Sequence, residues 1–218
     1  MSTIVTRPTG APPVLVRWTA ARAARLLLCL PLLLLFAVGQ PLAAQAADTP
    51  WDIDRLMQSL AKVSVGRADF VETKYIAMLD RPVESSGQLF YVAPDKLEKR
   101  TLRPRPESMI IEGSTLQIER GHQSYTMQVE SAPELAGFVN SIRGTLAGDR
   151  KTLERSFALA LEGPAERWVL TLKPLDARMA AAVRAIRISG ANDNVRSIEI
   201  LQADGDRSVM TITRSSAQ

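Results

Sequence analysis

The chain's one histidine, His122 in "ERGHQSY", is where nucleophilic catalysis would have to begin. A Ser-His-Asp system needs that imidazole beside an activated serine, and the sequence holds no G-x-S-x-G elbow. His122 therefore reads as a surface residue at a hairpin tip or strand start, and an ester hydrolase dependent on it is the least favoured reading. Thiol chemistry has one candidate, Cys29, which lies inside an apolar run close to the N-terminus. Metal binding would fall to carboxylates, and "GANDN" and "ADGDRS" do resemble fragments of calcium loops. Neither carries the full ligand spacing with its terminal Glu, so both read as turns in which Asn, Asp and Gly tolerate left-handed geometry. The remaining Asp and Glu residues nominate no acid–base pair. The expectation is a protein that is not an enzyme, with no metal and no cofactor.

The apolar run itself, "LLLCLPLLLLFAVG", follows Arg7, Arg17, Arg22 and Arg25 and precedes "PLAAQAAD". A basic segment, a short apolar segment and a small-x-small site at Ala44 and Ala46 describe a secretory signal peptide over residues 1–46, cleaved after Ala46. The run is shorter than the roughly 20 residues of a spanning helix, and Pro31 interrupts it. Those four arginines account for the whole excess of 27 basic over 23 acidic residues. A mature chain of residues 47–218 is then near neutral and free of cysteine. This excludes disulfides and removes any whole-chain electrostatic case for nucleic acid. About 170 residues suffice for one domain with a substantial core.

The elements that would position any site follow from periodicity. In "DTPWDIDRLMQSLAKV", Ile53, Leu56, Met57 and Leu60 recur at helical spacing, with Thr49 as the expected N-cap and Pro50 at the first helical position. From Arg67 the period becomes two. "ADFVETKYIAML", "GQLFYVAP", "DKLEKRTLRP", "ESMIIEG", "STLQIER" and "QSYTMQVE" are short alternating runs between turn signals, which predict an antiparallel meander. "SAPELAGFVNSIRGTLAGD" then places Leu135, Phe138, Val139, Ile142 and Leu146 on one helical stripe, with Ser131 and Glu134 at capping-box spacing. Gly137 and Gly144 each weaken that helix by about 1 kcal/mol relative to Ala. Strands resume in "RSFALALEG", "RWVLTLKP", "AIRISG", "VRSIEILQA" and "DRSVMTITR", with "DARMAAAV" as a short helix or loop and a hairpin turn at Asp204-Gly205.

In this order of elements, "ADFVET" opens a strand, "GQLFYVAPDKL" forms the next hairpin and "IIEGSTLQI" follows. The chain thereby resembles the LolA-type periplasmic carriers of outer-membrane lipoproteins, as a divergent member. The motifs that carry the resemblance are Phe70-Val71-Glu72, Gly87 to Lys96, and Ile110 to Leu116.

The resemblance implies an α+β, mainly β fold: a curved, incomplete antiparallel barrel closed by amphipathic helices around an apolar cavity for acyl chains. It implies a periplasmic monomer that takes an acylated lipoprotein or other lipid from an inner-membrane exporter to an outer-membrane acceptor. A lipid-sensing regulatory module of the same fold, binding a protein partner, is the alternative. Expected cavity and lid residues are Phe70, Leu97, Met109, Ile111, Leu135, Phe138, Ile142 and Leu159. Two positions depart from the family pattern: Ala93 stands where an arginine usually latches the lid, and Lys99 where an aromatic usually points inward. Lys99, Arg100, Arg103 and Arg105 form an expected exposed edge, serving as a patch for an acidic partner or lipid headgroup or as a guard against edge pairing.

Overall fold

The computed structural model describes residues 50–215; the expected signal peptide lies outside them. An opening helix, α1 (Ile53–Leu60), leads into β1 (Val65–Tyr75), β2 (Val83–Val92), β3 (Lys96–Arg103), β4 (Glu107–Glu112), β5 (Thr115–Arg120) and β6 (Gln123–Gln128). A 3₁₀ turn, Val129–Ser131, starts the crossover made by α2 (Pro133–Leu146) and α3 (Arg150–Ser156). The second meander is β7 (Phe157–Glu162), β8 (Trp168–Pro174), then α4 (Ala177–Ala182), β9 (Val183–Ala191), β10 (Asn194–Gln202) and β11 (Arg207–Arg214).

All the strands join one antiparallel 11-stranded sheet in the order β6-β5-β4-β3-β2-β1-β11-β10-β9-β8-β7. The first and last strands are therefore neighbours in its middle, with Phe70 opposite Ile212, while β6 and β7 end it without pairing each other. This is an incomplete barrel, as the resemblance implied. The period-two pattern sets its inner face. On β1 Phe70 and Glu72 are buried while Val71 between them is exposed, and on β8 Trp168, Leu170 and Leu172 are buried together.

Helices cover that inner face. Leu56, Met57 and Leu60 of α1, Leu153 of α3 and Met179 of α4 enter one core with Phe157, Trp168, Leu170, Leu172, Ile186 and Ile188. A second, smaller core joins Val139 of α2 to Ile111, Leu116 and Val129. The local starts differ from expectation. Asp52, not Thr49, caps α1, its carboxylate accepting from the Arg55 N–H at 2.9 Å, so Pro50 precedes the helix. Ala132 is the N-cap of α2, and Ser131 is used up in the preceding turn, donating its hydroxyl to the Gln128 carbonyl at 2.6 Å. Helix α3 was not expected; Asp149 caps it through the Thr152 N–H at 3.0 Å. Asn192, at φ 53, forms the β9–β10 turn read from "GANDN".

Candidate functional site: an apolar cavity under helix α2

Between α2 and the inner face of the sheet lies a cavity of about 220 Å³ with almost wholly apolar walls. Strand pairing sets the walls: Gly66 and Ala68 on β1 face Tyr91 and Leu89 on β2, which face Leu97 and Lys99 on β3, which face Ile111 and Met109 on β4. The other side is Ile188, Ile198, Met210 and Ile212 from β9 to β11. Phe138, Val139, Ile142 and Leu146 of α2 form the roof, and Leu60 of α1 closes one corner.

The roof helix is built to lie close. Ser141 and Thr145 are buried, yet each hydroxyl donates back along the helix at 2.7 Å, to the Phe138 and Ser141 carbonyls respectively, so neither needs a polar neighbour. Side chains at Gly137 and Gly144 would run into Met179 and Leu153. The two residues that weaken the helix in isolation thus let it dock on α4 and α3.

Of the expected residues, Leu97, Met109, Ile111, Phe138 and Ile142 border the cavity. Three lie elsewhere. Phe70 is buried at the sheet's centre, Leu135 packs with the smaller core, and Leu159 packs on the larger one. The basic group also divides. Arg100 pairs with Glu98 across 2.6 Å and lies over the Phe90 ring, and Arg103 and Arg105 are exposed. Lys99 leaves that edge, because its position opposite Leu89 turns it to the inner face. Ala93, a methyl, offers no latch; its N–H donates to the Ser64 carbonyl at 2.8 Å.

Lys99 meets Glu72, the one buried carboxylate among the described residues and one to which the sequence gave no role. The ammonium donates to Glu72 Oε2 and stands 4.9 Å from the Phe70 ring centre. Ser208 of β11 donates to Oε1 at 2.7 Å, Ser85 of β2 to Oε2 at 3.4 Å, and Lys74 lies 3.6 Å away. Burial alone would raise the Glu72 pKa, but the charge of Lys99, hydrogen bonds from Lys99 and Ser208, and the charge of Lys74 together hold it below the ordinary carboxylate value. The signal was available: Glu72 is two residues from Phe70 and Lys99 two from Leu97, hence on the same faces. The Tyr91 hydroxyl is buried without a partner among the described residues; burial and then the nearby charge of Asp95 push its pKa up. No cluster of ligating residues suited to a metal occurs among the described residues.

The family model for outer membrane lipoprotein carrier protein LolA-like matches residues 43–217, most of the chain. The chain belongs to the LolA-like family. Solved structures similar to this LolA-like chain include a LolA superfamily protein from Nitrosomonas europaea, at 9% identity, TM-score 0.38, and 75% and 93% coverage of the two chains. LprF from Mycobacterium bovis has 10% identity, TM-score 0.34, and 76% and 94% coverage. A DUF1329 family protein from Desulfovibrio piger has 8% identity, TM-score 0.41, and 77% and 92% coverage. Comparison with curated proteins finds no match. The family assignment rests on the family model.

Proposed function

We propose that the protein is a periplasmic carrier: residues 1–46 direct export, residues 47–218 fold as one carrier domain, and acyl chains are held in the cavity while cargo passes from inner to outer membrane. No bond is made or broken in this role. The observation that supports it is the space under α2, whose walls are apolar side chains from seven strands and two helices that do not close on one another. Each methylene taken into such a site contributes about 0.8 kcal/mol, so a long chain supplies enough binding energy for stable loading. A membrane acceptor, or lifting of α2, would then be needed for release.

The test is native mass spectrometry with lipid extraction on the mature protein purified from the periplasm of its host. A stoichiometric acylated species is expected. A bare mass that also refuses added lipid would overturn the carrier reading and leave the protein-binding module. Phe138→Glu places a charge in the roof of the cavity, and should abolish loading while circular dichroism stays unchanged; normal loading would remove α2 from the site.

A further inference from the structure

We propose that Lys99 is the headgroup contact of the cavity, and that the ligand it selects is an anionic amphiphile: an acyl chain among the apolar walls, ending in a carboxylate on the Lys99 ammonium. This rests on the carrier reading of the same cavity and adds the charge of the cargo.

Three observations carry it. The other charged residues that border the cavity turn their charges elsewhere: Arg67 lies over the Phe90 ring, Glu98 pairs with Arg100, and Arg214 pairs with Asp193 at 3.5 Å. Lys99 alone among them reaches Glu72 on the inner face, and its side chain keeps 27% exposure. Charge is also unbalanced there. One carboxylate, Glu72, serves two ammonium groups, Lys99 and Lys74, so the cluster carries one net positive charge, and Lys99 is its member that borders the cavity. Finally, an ammonium has three N–H donors. Glu72 Oε2 takes one, and the Phe70 face 4.9 Å away supplies a weaker contact, so Lys99 retains donors for a second carboxylate. A buried ion pair is a weak source of stability compared with apolar packing of the same volume. Recognition of a charged headgroup accounts for its place at the edge of an apolar cavity.

The test compares palmitate with its neutral methyl ester on the mature protein, by displacement of an apolar fluorescent probe. Palmitate should bind about tenfold more tightly than the ester, the scale of one charge-assisted hydrogen bond. Lys99→Met should abolish the preference, so that palmitate and the ester bind alike in that variant. Should that variant fail to fold with Glu72 left alone, the double variant Glu72→Gln/Lys99→Met removes both charges and gives the same reading. Equal affinities in the wild type, or a preference that survives in either variant, overturn the proposal and leave the carrier reading standing. Binding of neither compound overturns the carrier reading, and this inference with it.

Discussion

Leu170 on β8 and Met109 on β4 both point to the inner face of one sheet, yet Leu170 is fully buried and Met109 borders open space. The two ends of the sheet share the same alternating pattern, so alternation does not separate them. Cover does. Over β7 to β9, residues from α1, α3 and α4 interlock with Trp168, Leu170, Leu172, Ile186 and Ile188, all of them essentially free of solvent. Over β2 to β4 the cover is α2, which meets Ile111 and Leu116 through Val139 and leaves the cavity open beside them. The polar cluster sits at the sheet's centre: Glu72 takes Lys99 from one side and Ser208 from the other. The β7 to β9 end of the sheet is a core, and the cavity runs from β4 across the sheet's centre to Ile188 at the edge of that core.

That contrast is sharpest at Trp168, whose indole N–H also donates to the Asn192 carbonyl at 3.0 Å. Trp168→Ala should lower stability by about 4 kcal/mol, by lost burial and the void left behind. A shift in urea unfolding of less than about 1 kcal/mol would mean that this end is no better packed than the other.

Glu72→Gln should cost about 2 kcal/mol at neutral pH, less than for a fully buried pair because Lys99 keeps partial contact with water. The pH dependence has a definite sign. The folded carboxyl titrates below its unfolded value, so the stabilisation is complete above the ordinary glutamate range and is lost as pH falls through the lower folded value. Urea midpoints measured from about pH 7 to about pH 3 should therefore converge for the two proteins on the acid side. A constant difference would detach the effect from the charge.

The smallest effect belongs to the cavity wall. Met109→Ala should cost about 1 kcal/mol, at or below the low end for core truncations, because the side chain already faces unfilled volume. If its cost in the same unfolding assay matched that of a fully packed residue, the cavity wall would be core.

Much of this division could be read in the chain. Trp168, Leu170 and Leu172 announced a buried strand face, the stripe through Phe138 and Ile142 announced the covering helix, and five of eight expected cavity residues border the space. Features that depend on long-range pairing were less legible. Lys99 was legible in part: its spacing from Leu97 and the family's inward position pointed away from the edge with Arg100, and its pairing opposite Leu89 fixes that direction. Phe70 lies on the cavity's face of the sheet but beyond its edge, and no periodicity records how far a cavity extends. Helix α3 is seven residues long with Leu153 as its buried side chain, too short to display a stripe. Gly137 and Gly144 looked like weaknesses because their partners, Met179 and Leu153, come from other helices.

The adjacency of β1 and β11 orders events in time. Every other strand pair joins consecutive strands and can form as the chain proceeds, whereas the central seam waits for the final eight-residue strand. Glu72 acquires Ser208, a partner 136 residues away, at that moment. Two meanders can assemble early, each with an unpaired border at the seam, and non-local closure of this kind is the slow part of folding. Until β11 arrives the half-built sheet has a carboxylate on its border awaiting a hydroxyl, so the chain's last segment decides when the two halves become one sheet.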